Sequence, residues 1–262
     1  MNIYKNILDN MVWSFSRINA YEYCPYSWYL RYIEKNDGVG SFYADNGKAV
    51  HEVLESVTNG TISVYDAPLA YIDKFNNIMN HTKESSMDKT FESCMDYLSG
   101  LDENVLDGYK IIGSEIKINY KIGKYDFIGF IDLLLEDKDG NYIVVDHKSS
   151  DPFLKKNGEP YAATKKAYEG YKKQLYLYSE GVKQAYGKYP VKLVFNHFKA
   201  NGKRTVIDWD KKDCEASKKW AINTIRKIYK DKKFEAVTKT GFCYRLCSHR
   251  FDCVYTWDDE DE

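Results

Sequence analysis

No run in this chain approaches the ~18 consecutive apolar residues that a membrane-spanning helix needs. The segment from Met1 to Met11 also lacks the apolar core of a signal peptide. The expectation is a cytoplasmic protein with no membrane partner. Missing too is a G-x-x-x-x-G-K-[ST] phosphate loop, so the chain carries no nucleotide-driven motor of its own. No internal repeat and no low-complexity linker interrupts it. An excess of one charge is absent as well, for the net charge is −1, which taken alone argues against a polyanionic partner.

The charge is unevenly spread. The last five residues, Asp258 to Glu262, contribute −5 and leave the rest at +4, with basic residues bunched at 165–166, 172–173, 218–219 and 226–233. Such runs mark solvated helix faces first and a phosphate-tracking surface second, so composition leaves nucleic-acid binding undecided. The 24 tyrosines fit ordinary core and interface use and carry little weight. In a reducing cytosol the six cysteines form no disulfide framework, and any that cluster are candidate metal ligands.

A chain of 262 residues with 44% hydrophobic content supports one substantial core, read as a single domain over 1–262. Ser14 to Tyr32 reads as a helix, capped by Ser14 or Ser16 and bent near Pro25. Ala49, Val50, Val53, Leu54 and Val57 recur at helical spacing and predict a helix from Asn46 to Val57, which contains His51. Residues 61–110 look mostly helical and carry no assignable chemistry. The period then changes to that of strands: Glu115 to Tyr120, Phe127 to Leu135, a turn at Asp137 to Asn141, and Tyr142 to Lys148. A helix from Tyr168 to Tyr186, a strand from Val191 to Phe198 and a helix from Asp213 to Tyr229 follow. The fold class is α/β, a small mixed sheet flanked by helices.

The strand pair carries the chemistry. Asp146 and Lys148, two residues apart, project from the same face of their strand. If the preceding strand pairs with this one around Asp139, Asp132 lies directly across from Asp146, and like charges ~5 Å apart destabilise the pair. A hard divalent cation with oxygen ligands offsets that repulsion, and Lys148 brings a positive charge to the same spot. Charged residues at a hairpin end often only solvate an edge strand. Here, however, Asp146 ends the apolar run Tyr142-Ile143-Val144-Val145, and Asp132 sits between Phe130-Ile131 and Leu133-Leu134-Leu135. Ionised groups inside apolar strands are usually paired or bound to metal.

Five ordered blocks now stand together: Trp13-Ser14-Phe15-Ser16 with Tyr23-Cys24-Pro25; Gly47-Lys48-Ala49-Val50-His51; Gly129-Phe130-Ile131-Asp132; Val145-Asp146-His147-Lys148; and Gln174 followed by Tyr178. In order and spacing the chain resembles the RecB-like branch of the PD-(D/E)XK nuclease superfamily, with its AddB-type nuclease domains and CRISPR-associated exonucleases. The resemblance implies a restriction-endonuclease-like core and a Mg²⁺- or Mn²⁺-dependent deoxyribonuclease. Its expected action is exonucleolytic, on single-stranded DNA ends, in recombination, repair or phage DNA processing, with a helicase or recombination partner. Asp132 and Asp146 would be metal ligands, His51 a further ligand, and Lys148 the residue that orients water. Gln174 and Tyr178, one helical turn apart, would support the site or touch DNA. A histidine on a helix is more often a hydrogen-bonded core residue, and Gln174 with Tyr178 could equally be a structural pair. His147 points to the opposite face, with a packing role, and Glu115 is a candidate for the layer behind the ligands. A structure-specific endonuclease and a non-catalytic DNA-binding subunit are the alternatives.

Cys243, Cys247 and Cys253 fall within eleven residues and suggest one shared metal, whose fourth ligand lies elsewhere. By the same resemblance that ligand is Cys24 and the group a [4Fe-4S] cluster, which would tie residues 14–32 to a Cys-rich cap at 241–253. The C-x3-C-x5-C spacing is one residue longer than the usual pattern and leaves zinc or plain buried thiols open. Cys94 and Cys214 stand alone and read as packing residues.

Overall fold

The computed structural model describes residues 3–78, 87–104, 106–155, 158–237 and 240–255. In chain order the elements are α1 (Lys5–Asp9), α2 (Phe15–Tyr23), α3 (Pro25–Tyr32), α4 (Phe42–Thr58), α5 (Ala67–Ile78), α6 (Met87–Ser99), β1 (Lys110–Ile122), β2 (Tyr125–Glu136), β3 (Tyr142–Lys148), α7 (Lys165–Tyr186), β4 (Lys192–His197), β5 (Lys203–Asp208), α8 (Lys211–Lys230) and α9 (Thr240–Arg245). The bend expected near Pro25 is a break. Ser14 caps α2 by accepting the Arg17 N–H at 3.1 Å, and Pro25 opens α3, where its missing N–H costs nothing. Two departures concern strands: β1 starts at Lys110, five residues before the expected Glu115, and β5 was not anticipated. The acidic tail at 258–262 lies outside the described residues.

Among the described residues the strands form one five-stranded sheet in the order β1-β2-β3-β4-β5. β2 and β3 are antiparallel, β3 and β4 parallel, and β4 and β5 antiparallel, so the sheet is mixed as expected. A parallel pair needs a crossover, and α7 supplies it. It lies on the face carrying Tyr142, Val144, Asp146 and Lys148, where the Tyr142 and Tyr186 rings sit 5.5 Å apart and Lys148 meets Gln174. The opposite face presents Leu133, Leu135, Ile143, Val145 and Val194 as a separate apolar cluster. Together with Leu54, Val57 and Tyr97 that face lines a cavity of about 580 Å³. The residues expected to carry chemistry are not part of that cluster.

By contact density the chain divides into two compact units. Residues 42–120 and 129–215 hold α4 to α7 and the bulk of the sheet. Here α4, α5 and α6 share a core of Val50, Val53, Tyr71, Phe75, Cys94 and Leu98, in which the Tyr71 hydroxyl donates to Asn46 Oδ1 at 2.6 Å. The second unit comprises residues 1–41, 121–128 and 216–262. Trp28 is its centre, fully buried and stacked on Phe234 at 5.6 Å. No helix among the described residues is long and apolar enough to cross a membrane.

Within this second unit the Cys-rich segment is fastened to the chain after α3. Val39 N–H donates to the Ser248 carbonyl at 2.8 Å, and Arg250 donates to the Gly40 carbonyl at 3.2 Å. Gly38 makes the approach possible: its φ is +70°, and a β-carbon there would lie 2.4 Å from the Ser248 oxygen, a backbone atom that cannot swing aside. Gly38→Ala should therefore lower stability by about 2 kcal/mol or more, by combining backbone strain with the clash. Denaturant unfolding compared with wild type checks this, and limited proteolysis should show earlier cutting at 241–253.

Candidate active site

The hairpin pairs in the register read from its sequence. Leu133 faces Val145 and Leu134 faces Val144, which sets Asp132 opposite Asp146 one step further on. The paired ladder stops at that point because the Asp132 carboxylate replaces a backbone acceptor: it takes the His147 N–H at 2.6 Å. Asp132 and Asp146 thus stand where β2 and β3 part, side by side, and Asp146 is almost wholly buried.

Each aspartate has a different neighbour. Asp146 Oδ2 lies 2.5 Å from Lys148 Nζ, which donates onward to Gln174 Oε1 at 3.1 Å, while Gln174 Nε2 donates to the Tyr178 hydroxyl at 2.9 Å. Gln174 and Tyr178 therefore form one hydrogen-bonded chain that reaches the lysine. The glycine ahead of Asp132 follows from this: a β-carbon on Gly129 would lie 2.8 Å from Tyr178 Cε1. Tyr171, one turn before Gln174 on α7, adds its ring face to Lys148 at 4.4 Å. The sequence reading missed Tyr171, although its i, i+3 spacing to Gln174 could have flagged it.

Asp132 belongs instead to a trio with His51 and Glu115, whose ligand atoms all lie within 4.8 Å of one another. His51 Nδ1 is 3.5 Å from Asp132 Oδ2 and 3.6 Å from Glu115 Oε1. Its other nitrogen, Nε2, is 3.1 Å from the His147 carbonyl, which can only accept, so Nε2 carries the hydrogen. In the neutral ring the Nδ1 lone pair then points at the two carboxylates, the tautomer a metal ligand requires. Glu115 sits closer to the centre than expected, on a level with His51 and Asp132. The cause is local: Glu115 has φ +47°, a left-handed backbone rare for a non-glycine residue inside a strand, and regular alternation of burial along β1 begins only beyond it. His147 packs on the other face as expected, its Nδ1 2.9 Å from Asn196 Nδ2.

The electrostatics describe a site short of positive charge. Burial and the nearby Asp146 push the Asp132 carboxyl up to about 7. Burial works against a charge on His51, but Glu115, Asp132 and Asp146 outweigh it and raise its pKa. Lys148 is likewise opposed by burial and held charged by Asp146. His147, walled off and near His51 and Lys148, is pushed down to about 3 and stays neutral. Carboxylate oxygens and one imidazole are hard donors suited to Mg²⁺ or Mn²⁺, and a cation is what this set lacks, so the residues fit a divalent metal.

A sequence model of the PD-(D/E)XK nuclease superfamily matches residues 12–254. The chain belongs to the PD-(D/E)XK nuclease superfamily. Among solved structures it is similar to a provisionally named exonuclease from Eubacterium rectale, at 13% identity over 89% of this chain and 87% of that one, with a TM-score of 0.54. At that identity the likeness concerns the fold. The structure of SSO0001, 14% identical over 97% of each chain, superposes with a TM-score of 0.33 and carries no weight.

For this superfamily member the repulsion between Asp132 and Asp146 has a measurable sign. A carboxyl whose folded pKa is about 7 against an ordinary 3.8 binds its proton more tightly in the native state. Its stabilising effect is complete below about pH 4 and is lost as pH rises through 7. His147 slopes the other way, because a neutral buried imidazole loses stability as pH falls below 6.5 towards 3. The difference between wild type and Asp132→Asn isolates the carboxyl. In chelator-treated protein, denaturant melts from pH 4 to 8 should show wild type losing ground steadily against Asp132→Asn, and parallel curves would refute the raised pKa that burial and Asp146 give Asp132.

Proposed function

We propose that this nuclease hydrolyses DNA phosphodiesters with Mg²⁺ or Mn²⁺ held by His51, Glu115, Asp132 and Asp146, and that it is an exonuclease of the RecB-like branch acting on single-stranded ends. The observation that carries the reading is the arrangement of Asp132 with a correctly oriented His51 on one side and the Asp146–Lys148 pair on the other. The motif order described above supports the branch, and the provisional description of the Eubacterium rectale protein agrees with an exonuclease. When bound, the cation supplies a Lewis acid that neutralises phosphate charge and makes an attacking water more acidic.

The protein's own groups do the rest. Lys148, kept protonated by Asp146, holds the attacking water and offsets the negative charge that builds on the phosphoryl oxygens. Gln174, fixed by Tyr178, sets the direction of the lysine. The His147 N–H and His51 fix the orientation of Asp132. A helicase or recombination protein that feeds DNA ends to this site is the partner the reading implies.

Two variants separate binding from chemistry. Mn²⁺ should raise the melting temperature of wild type in proportion to the logarithm of its concentration, as a ligand of the native state does. Asp132→Asn should lose both this response and cleavage. Lys148→Ala should keep the metal response and single-strand binding yet cut about 10²- to 10³-fold more slowly. A Mn²⁺ response equal in wild type and Asp132→Asn, or brisk cutting by Lys148→Ala, would remove the assignment.

For the cysteines we propose a [4Fe-4S] cluster on Cys24, Cys243, Cys247 and Cys253, with zinc as the alternative occupant. All four belong to the second unit and none is in a disulfide. Burial pushes the Cys247 thiol up, and the nearby thiols of Cys24 and Cys243 push it further. Among the described residues no three of these sulfurs fall within 4.8 Å of one another, a looser spacing than the roughly 3.8 Å implied by tetrahedral zinc–thiolate bonds. Anaerobically purified protein should be brown and contain iron and sulfide, and Cys247→Ala should lose both. Colourless protein with stoichiometric zinc would identify the occupant as zinc.

A further inference from the structure

We propose that Phe130 is a stacking platform for the unpaired base beside the scissile phosphate, an inference that rests on the nuclease reading above. Strand β2 buries Phe127, Ile131, Leu133, Leu134 and Leu135 to within a few per cent of full enclosure, yet leaves Phe130 48% exposed. The position is not peripheral. Phe130 lies two residues before Asp132, hence on the same face of the strand and about 6.6 Å from it along the chain. Its side chain lines the same cleft of about 640 Å³ as His51, Glu115, Asp132 and Asp146.

The other described aromatic rings in that cleft are already engaged. Tyr171 has Lys148 over its face at 4.4 Å and stacks on Phe153 at 5.8 Å. Phe198 is fully buried, and Tyr43 is half-buried against Phe42 at 5.4 Å. Among them Phe130 is the ring left largely exposed. An exposed apolar ring forgoes the stabilisation that burial would bring, whereas a nucleobase stacked on it would restore that burial during binding. Inside a duplex each base has both faces covered by its neighbours, and a terminal pair bares only its outward face, so a ring set beside the cut phosphate within the cleft stacks on a base that has left the duplex. A phosphate held at Asp132 with its base on Phe130 is a single-stranded nucleotide, read by shape and not by sequence. Phe130 thus positions the strand and selects its unpaired state without taking part in bond breaking.

The experiment uses the full chain with Mn²⁺ and a labelled single-stranded oligonucleotide, either intact or abasic at the nucleotide next to the cut. Because its side chain is half in solvent, Phe130→Ala should fold and melt like wild type while its kcat/KM on the intact strand falls about 5- to 150-fold, mostly through KM. Phe130→Trp should retain activity. The abasic substrate should cost wild type a similar factor and cost Phe130→Ala nothing more, as expected when both changes remove one contact. Without metal, the emission that Phe130→Trp adds to wild type should be quenched by the intact oligonucleotide and not by the abasic one. Equal kcat/KM for wild type and Phe130→Ala, or losses that multiply, would overturn the stacking role. Uncut DNA with quenching intact would overturn the nuclease reading and leave the platform standing, whereas uncut DNA without quenching would sink both.

Discussion

Two aspartates held face to face, where water is scarce, are the constraint around which this protein is arranged. Antiparallel registration of β2 and β3 sets Asp132 against Asp146, and apolar neighbours on both strands keep solvent from screening them. Such a pair is unfavourable unless positive charge is brought to it. Lys148 answers for Asp146 at 2.5 Å, and His51 answers for Asp132 at 3.5 Å. Together they leave a site that gains when a divalent cation enters.

Each partner is delivered by a different element, which explains why so much of the chain takes part. α4 carries His51, and its core with α5 and α6 fixes the helix that aims the ring. β1 brings Glu115 through a single left-handed residue, local strain that a regular strand would avoid. α7, the crossover needed by the parallel β3–β4 pair, places Tyr171, Gln174 and Tyr178 in succession along one face, and they fix the lysine from the far side. The close fit at Gly129 joins the two systems, because the Tyr178 ring occupies the space a larger residue would need. The geometry of the lysine is thereby tied to the strand that carries Asp132.

The second unit follows a different logic. Its centre is aromatic, with Trp28 and Phe234 in stacked contact, and its last described segment returns to the chain after α3 by one backbone hydrogen bond beside Gly38 and one from the Arg250 side chain. Hydrogen bonds of this kind hold one loop against another with little apolar burial, as the exposure of Leu246, Phe251 and Val254 shows. A metal centre on the four cysteines would add a cross-link where hydrophobic burial is thin.

What could be read from the sequence alone was whatever depends on local periodicity. Alternation along β2 and β3 with a turn at Asp139 was enough to set Asp132 opposite Asp146 and to put Lys148 on their face, because strand geometry has a period of two and a hairpin leaves little freedom of register. Helical spacing likewise located His51 on α4 and set Gln174 one turn from Tyr178. The sequence did not disclose β5, an edge strand whose Lys203 and Arg204 give it no apolar alternation, and which becomes a strand only by pairing with β4. Nor did it place Glu115 beside His51 and Asp132, since a positive φ at one residue overrides the alternation from which its direction was inferred. Tertiary structure also decided which nitrogen of His51 faces the carboxylates, through a carbonyl 96 residues away on β3. Contacts between residues so distant in sequence leave no period to read, so the chain's pattern named the chemical groups and long-range packing determined how they are aimed.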